Sequence, residues 1–432
     1  MNQQLLYADG RFAKDPLWCF FALNYMHRRR NQESGNWFIK GFFEDAPPSI
    51  DELKEHLAEG DTRFINQMVY YTKKVRGSDA YWRSKRAELY TWINHHIDEQ
   101  HGAPNLFITL SCAEYFWPDI KRLLEDRILV AENREVDLDS NHTAKVKAVN
   151  DYSIVVQQYF HKWVEEFLNT VGKELFGIRH YWLRYEFAKS RGQIHCHLLA
   201  ITSDCCDPNG ITAQLFAAGK DRKTQAELLG QWVDDRFELS AEMPEVPCPD
   251  DDDEGDDYPQ PCSMRLSEVT DCLLDMFRLA TATQLHKCND YCMRSPKQKN
   301  DGINGQKRNC DKSQHNTCRF CRMGAGTESS AGNAQTPGWE RKENTEIVRD
   351  DRGFLKLLLK RTNNKRLLQT SFDLLQCWRA NCDIQVLLYD TDPKHPDPAE
   401  IAKVTDYVVA YATKGNATMA VEKSLVTNFI LR

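Results

Sequence analysis

The sequence lacks the features that would place a protein in a membrane or outside the cell. None of its apolar runs approaches the roughly 18–20 residues that a membrane-spanning helix requires. Its start, MNQQLLYADGRFAKD, has neither the basic nor the apolar part of a secretory signal peptide. We therefore expect a soluble, intracellular protein, and 432 residues are enough for two or three domains.

A disulfide framework is also not indicated, although cysteine is abundant. The 15 cysteines are an odd number, the chain is long, and it has no export signal. Reduced thiols, some of them bound to metal, are the better interpretation.

The chain has no excess of positive charge of the kind that nucleic-acid-binding proteins often carry. Its net charge is −7, but residues 250–257 alone contribute seven acids, so the rest of the chain is balanced. Basic clusters then stand out at residues 28–30, 73–76, 83–86 and 360–366. Each cluster alone is typical of a solvated face, whereas together they could contact phosphates.

The spacing of apolar residues predicts an α+β protein with a helical N-terminal region over residues 1–103. In that region the three- and four-residue spacing indicates helices over 51–58, 62–75 and 80–96. The remainder, residues 104–432, opens with a buried strand within LFITLSCAEYF.

The remainder contains further predicted helices and strands, an acidic insertion and a cysteine-rich segment. A helix over 152–176 ends at Gly177, and its apolar face carries Val155, Tyr159, Trp163, Phe167 and Val171. A β-hairpin covers 180–201, around a turn at 189–192. An acidic, disordered insertion spans 238–261, and a cysteine-rich segment spans 284–325. Later elements are helices over 354–360, 366–378 and 399–420, and a strand over 383–389.

A histidine pair in the hairpin suggests a metal site. His195 and His197 are two residues apart, so on a strand they share one face while Cys196 points into a core. The hairpin would bring Glu186 alongside them, and a set of two nitrogens and one carboxylate suits Mg²⁺ or Mn²⁺ better than a structural zinc site. The pair alone is a weak signal, and Glu186 has an alternative interpretation as an ion-pair partner of Arg184 or Lys189.

A tyrosine pair near the C-terminus suggests a nucleophile. Tyr407 and Tyr411 are four residues apart on a predicted helix, with Lys414 about one turn further along the same face. A phenol oxygen could attack a phosphodiester, retain the 5′ phosphate as a covalent ester and release a 3′ hydroxyl, while a metal and Lys414 stabilise the developing charge. The structural alternative is that both tyrosines pack into a core beside Val404 and Val408.

The cysteine-rich segment predicts a structural Zn²⁺ site. Two close pairs are separated by a loop, as tetrahedral coordination requires. The predicted ligands are Cys288, Cys292, Cys318 and Cys321. Spare candidates in the same segment are His286, Cys310 and His315.

The order of these motifs resembles the replication-initiator-like part of Helitron transposases, particularly the Helentron branch. The resemblance rests on FITLSCAEYFWPDI, YFHKWVEEFL, RYEFAKSRGQIHCHLLAI, HKCNDYCMR, CRFCRMGAGTE and DYVVAYATKG. The run from DPLWCFFALNYMHRRR to DAYWRSKRAELYTWI is similar to the helical N-terminal region of the same transposases. The similarity therefore extends over nearly the whole chain.

The resemblance implies an HUH endonuclease, named for its His-hydrophobic-His motif, with a five-stranded antiparallel sheet flanked by helices. It implies that His195, His197 and Glu186 bind the catalytic metal and that Tyr407 and Tyr411 are nucleophiles in rolling-circle transposition. The implied partner is single-stranded DNA at transposon ends, handled in the nucleus. Such transposases continue into a helicase, whereas this sequence has no phosphate loop, so we expect unwinding to depend on a helicase domain outside it.

Two other functions remain open from the residues. One is a zinc-containing module that binds single-stranded DNA without catalysis, with Trp163 or Trp182 stacking on bases. The other is a metal phosphodiesterase that uses water as its nucleophile.

Overall fold

The structure, a computed structural model, describes part of the chain. The described residues are 10, 12, 18, 21–30, 33, 79–187, 193–205, 207, 210–219, 221–245, 259–285, 343–349, 355–363, 367–389, 397–399, 401–402 and 406. In these residues the protein is a mixed α+β structure, as the sequence predicted.

The described strands form one four-stranded antiparallel sheet and two smaller sheets of two strands each. The strands are β1 (Leu106–Ser111), β2 (Ile178–Phe187), β3 (Ile194–Thr202), β4 (Leu239–Ser240), β5 (Glu346–Arg349), β6 (Leu355–Leu358), β7 (Thr370–Ser371) and β8 (Cys382–Val386). The sheet has the order β2-β3-β1-β8, while β4 pairs with β7 and β5 with β6. The strand predicted in LFITLSCAEYF, the hairpin and the strand near 383 are thus confirmed, and the fifth strand of the sheet remains a prediction.

Helices surround this sheet. They are α1 (Asp79–Asp98), α2 (Pro118–Glu132), α3 (His142–Asp151), α4 (Ser153–Phe167), α5 (Ile211–Ala217), α6 (Arg222–Phe237), α7 (Cys272–Leu279) and α8 (Phe372–Trp378). Residues 21–30 are also helical. Among the helices that the structure describes, none combines the length and the apolar character needed to cross a membrane.

One face of the sheet is buried in the main apolar core. Side chains alternate along a strand, and Cys196, Leu198 and Ala200 of β3 all point to this face with 0% exposure. Phe160 and Val164 of α4 belong to the same apolar cluster. Burial of Cys196 in this core confirms the direction predicted for the middle residue of the histidine motif.

The opposite face of the sheet is covered by α1. Leu89 and Ile93 of this helix form a second apolar cluster with Phe107 of β1 and Leu199 of β3, and Ile401 belongs to the same cluster. The predicted helix over 80–96 is therefore confirmed, and it packs directly on the sheet. The division of the chain at residue 103 remains a prediction.

The helix predicted over 152–176 is present, and the face predicted to be apolar is buried in part. It is α-helical from Ser153 to Phe167 and continues as a π-helix over Leu168–Leu175. The buried residues include Val156, Phe160 and Val164, whereas Trp163 remains 38% exposed. Phe167 of the predicted face is buried as well, and Tyr159 and Val171 are half-buried against the core. A shift of one position turns a helix face by about 100°, so the core-facing side of the helix lies beside the predicted face and shares part of it. The helix ends as predicted at Gly177, whose φ of 65° favours glycine.

The helix predicted over 354–360 was wrong, because Leu355–Leu358 forms strand β6. A short apolar run fits either structure, and pairing with β5 decides it here. The helix predicted over 366–378 begins only at Phe372. Ser371 is its N-cap, and the Ser371 side chain accepts a hydrogen bond from the amide of Leu374.

The start of the predicted acidic insertion belongs to the fold. Leu239 and Ala241 are buried, and Leu239–Ser240 is strand β4. The prediction of disorder was wrong for these residues, because their apolar side chains reach the core. Residues 246–258, most of the cysteine-rich segment, and the helices predicted over 51–58 and 62–75 lie outside the described residues.

Candidate functional site

Three predicted metal ligands meet on the face of the sheet that α1 covers. In the register of β2 and β3, Glu186 lies opposite His195 and Arg184 lies opposite His197. One ligand atom from each of Glu186, His195 and His197 lies within 4.8 Å of the other two. The hairpin thus brings these three side chains together as predicted.

The donor set fits a divalent metal ion. His197 Nε2 lies 3.8 Å from Glu186 Oε2, and the two imidazole rings are 4.9 Å apart between centroids. Ligand atoms around one metal at about 2.1 Å are roughly 3 Å apart, so small side-chain rotations would bring all three into contact with an ion. Two imidazoles and one carboxylate leave other coordination positions for water and a phosphate oxygen.

The orientation of His197 is fixed by its neighbours in β1. His197 Nδ1 and Thr109 Oγ1 are 3.0 Å apart, and the Phe107 ring is stacked on the imidazole at 5.6 Å. In the tautomer that donates Nδ1–H to Thr109, the lone pair of Nε2 faces Glu186 and is available to a metal. An outer partner of this kind is the usual means of orienting a histidine ligand.

Both histidines are held in the neutral form that metals bind. Burial lowers the pKa of His197 to about 3, with smaller contributions from His195 and Arg184. Burial also lowers the pKa of His195. No proton therefore has to be displaced from either ring nitrogen facing the site at neutral pH.

A fixed cation lies beside the ligands. The Arg184 guanidinium is 3.7 Å from Glu186 Oε2 and lies 4.0 Å above the Trp82 ring of α1. Contacts of the guanidinium within the hairpin and to the covering helix hold it beside the three possible metal ligands.

Thr109 and Trp82 were not predicted as site residues, and Arg184 was predicted only as an ion-pair partner. Arg184 could have been found from its spacing of two residues from Glu186 on the same strand. Thr109 and Trp82 carry no such signal, because strand order and helix packing bring them to the site.

The other predicted site residues belong to the proposed nucleophile pair and the proposed zinc site. The tyrosines Tyr407 and Tyr411, with Lys414, lie outside the described residues, as do the predicted zinc ligands Cys288, Cys292, Cys318 and Cys321.

The described residues just before the tyrosines reach the same face of the sheet. Ile401 packs in the cluster formed by α1, Phe107 and Leu199. The Tyr90 hydroxyl of α1 donates a hydrogen bond to Asp406, the residue that precedes Tyr407 in the chain. Burial and this bond raise the pKa of Tyr90 to about 12. The polypeptide therefore returns to the covered face of the sheet immediately before the tyrosine pair.

Residues 2–200 match a protein family described as the Helitron helicase-like domain at the N-terminus. The matched range includes α1, β1, β2 and most of β3, and with them Glu186, His195 and His197. No curated protein and no solved structure matches the chain. The family match supports a Helitron-related protein with a transposon-associated function.

Proposed function

We propose that this protein is a transposition nuclease that cuts and rejoins single-stranded DNA. The observation that carries the proposal is the meeting of Glu186, His195 and His197 on two adjacent strands, inside the range that matches the Helitron family. These residues would hold Mg²⁺ or Mn²⁺. When bound, the ion would polarise the scissile phosphate and stabilise the charge that develops on its oxygens.

The nucleophiles in this proposal are Tyr407 and Tyr411. The phenol oxygen of one tyrosine attacks the phosphorus, the bond from phosphorus to the 3′ oxygen breaks, and the 3′ hydroxyl leaves with a proton. The 5′ phosphate stays on the tyrosine, and attack by a 3′ hydroxyl reverses the step and rejoins a strand. Two tyrosines permit two successive transfers.

Cationic side chains would position the DNA. Arg184 is held by Glu186 and Trp82 next to the metal ligands, and its planar guanidinium suits two oxygens of one phosphate. Lys414 would supply a second positive charge near the tyrosines. Both charges would be most useful in the transition state, when the phosphate oxygens carry the most negative charge.

The predicted zinc ligands lie outside the described residues. A Zn²⁺ ion bound by Cys288, Cys292, Cys318 and Cys321 would order a polar segment that cannot build its own core. The partner is single-stranded DNA at transposon ends, the place of action is the nucleus, and strand separation depends on a helicase.

The second candidate is a DNA-binding module without catalysis. A stacked aromatic pair favours it, because Trp163 is 38% exposed and its ring lies 6.1 Å between centroids from that of the half-buried Tyr159. Stacked surface aromatics of this kind can receive unpaired bases.

One assay separates the candidates. Incubation with a labelled, randomised pool of single-stranded DNA and Mn²⁺, followed by denaturation, should leave a covalent protein–DNA adduct. The adduct should disappear in the double variant Tyr407→Phe, Tyr411→Phe and remain in Tyr181→Phe, a control that changes an exposed tyrosine of β2.

Other outcomes of the same assay contradict the proposal. Retention of DNA without cleavage supports the binding module. Cut DNA without any adduct supports a phosphodiesterase that uses water.

A further inference from the structure

Three histidines form a second cluster on the covered face of the sheet. His96 lies near the end of α1, His101 lies in the turn that follows, and His180 lies in β2. His180 is six residues from Glu186 along the strand, which corresponds to about 20 Å. The cluster is therefore separate from the candidate nuclease site at the other end of the hairpin.

The imidazoles of this cluster are close enough to share one ion. His96 Nδ1 and His101 Nδ1 are 3.0 Å apart. The His180 ring lies 4.4 Å from that of His96 and 4.3 Å from that of His101. One ligand atom from each residue lies within 4.8 Å of the other two. Nitrogens around a tetrahedral zinc are about 3.3 Å apart, since each Zn–N bond is about 2.0–2.1 Å, so the cluster needs only small adjustments.

The backbone presents these rings to one another. After α1 the chain turns through Gln100 and Gly102, with φ values of 60° and 88°, and the His101 amide donates a hydrogen bond to the His96 carbonyl at 2.8 Å. This left-handed helix end carries the His101 side chain back beside His96. The His96 ring is fixed from another side by the edge of Trp92, at 4.7 Å between centroids.

Burial favours the neutral form of two of these rings, those of His96 and His180. Burial, followed by the charges of His180, His101 and His95, lowers the pKa of His96 to about 4, while Glu99 has a small opposite effect. Burial also lowers the pKa of His180. Neutral imidazoles present lone pairs, and three of them with one open position form a common zinc ligand set.

We propose that His96, His101 and His180 bind a Zn²⁺ ion that fastens the end of α1 to strand β2. Three ring nitrogens coordinate the ion, and water completes the tetrahedron. The chemistry differs from that of the nuclease site, because a set of imidazoles without a carboxylate favours zinc over Mg²⁺ or Mn²⁺.

The position of the ion gives it a structural role. The same helix covers the nuclease face through Leu89 and Ile93 and supports Arg184 through Trp82. A metal at its far end would restrain both the angle and the register of α1 on the sheet. Binding to the folded state alone would also stabilise the protein, by an amount that grows with the logarithm of the zinc concentration.

The proposal is tested by zinc analysis of the full chain after equilibration with Zn²⁺ and removal of unbound metal. We expect His101→Gln and His180→Gln each to hold one zinc fewer per chain than the unchanged protein. The matched control is His95→Gln, because His95 is exposed and lies next to the cluster without belonging to it. Its zinc content should not change.

Two further measurements show whether a loss of zinc comes from the histidine cluster itself, from the other metal site or from misfolding. The double variant His195→Gln, His197→Gln should keep the zinc that His101→Gln loses, which separates this site from the nuclease site. Circular dichroism should show an unchanged helix content in His101→Gln, and chelation should lower the melting temperature of the unchanged protein more than that of this variant. Equal zinc content in His95→Gln, His101→Gln and His180→Gln would overturn the proposal, as would a melting temperature equally insensitive to chelation in all of them.

Discussion

The two ends of the covered face of the sheet carry different sets of possible metal ligands. At one end Glu186, His195 and His197 combine a carboxylate with two imidazoles, and Arg184 lies beside them. At the other end His96, His101 and His180 supply imidazoles alone. The first set suits Mg²⁺ or Mn²⁺, which prefer oxygen ligands, whereas the second suits Zn²⁺. The type of ligand therefore distinguishes the metals that the two ends would bind.

The ends also differ in how they are built. The proposed nuclease end comes from two strands that follow one another in the sequence, β2 and β3, so its ligands are close in sequence. The histidine end joins the last turn of α1 to β2, across about eighty residues of chain. The single helix α1 lies over both ends, so the comparison can be tested at each end and in between.

The largest expected effect is at the nuclease end. His197→Ala should reduce Mn²⁺-dependent adduct formation by about 10³-fold or more, because it removes a ligand of the ion that stabilises the transition state. Quantifying the covalent adduct on a denaturing gel measures this loss. A matched change at the histidine end, His101→Gln, should leave most of the activity, and an equal loss in both variants would mean that the two ends do not differ in role.

The next largest effect concerns helix α1, which packs on the sheet between the two ends. Ile93 of α1 is only 1% exposed, and Ile93→Ala should lower the free energy of unfolding by about 2–4 kcal/mol through the cavity it leaves. Urea unfolding followed by circular dichroism measures the change. The exposed neighbour His95→Ala provides the control, with a change below about 0.5 kcal/mol. A small effect of Ile93→Ala would show that α1 is not part of the cooperative core.

A pH-dependent effect is expected next to the nuclease end. Glu114 follows β1 and is 4% exposed, and burial raises its pKa from 4.5 to about 7. The protonated side chain is favoured in the folded state, so its contribution to stability is complete below pH 4.5 and is lost as the pH rises to about 7. The loss should approach about 2–3 kcal/mol.

The Glu114→Gln variant isolates this contribution, because glutamine does not titrate. The urea midpoints of the unchanged protein and of the variant should be similar at pH 4.5 and should differ at pH 8, where the variant is the more stable. A constant difference between pH 4.5 and pH 8 would contradict the prediction.

The smallest expected effect is on the orientation of one ligand. Thr109→Val keeps the shape of the side chain but removes the hydroxyl that contacts His197 Nδ1. The Mn²⁺ concentration needed for half-maximal cleavage should rise about tenfold, since outer partners of ligands typically contribute this much. A manganese titration of adduct formation measures it. The zinc content of the histidine end should stay the same, and a loss there would show that the variant disturbs the sheet as a whole.

Much of the nuclease end was predictable because local rules decide it. The alternation of side chains along a strand places His195 and His197 on one face and Cys196 on the other. A hairpin pairs strands that are adjacent in sequence, so Glu186 had to return beside the histidines. The histidine end could not be predicted in this way, since nothing in the spacing of His96 and His180 indicates that α1 ends beside β2.

The wrong predictions of secondary structure and burial also arise because contacts between residues distant in sequence decide the outcome. The helix over residues 153–175 has about the predicted length, but packing buries Val156, Phe160 and Val164 and leaves Trp163 of the predicted face 38% exposed. The LKLL segment over 355–358 became a strand because β5 offered it a partner. Short apolar patterns leave such choices to contacts that are distant in sequence.

The sequence by itself determined the alternation of the hairpin, the face shared by two of its histidines and the return of Glu186, because these depend only on backbone geometry over a few residues. The tertiary structure alone decided that α1 covers that face and that Thr109 contacts His197 while Trp82 contacts Arg184. It also decided that the imidazoles of His96 and His101 meet that of His180 at the other end of the face. The physical reason is that burial of apolar surface fixes how elements pack against each other, and apolar attraction has no direction that a short sequence pattern could encode.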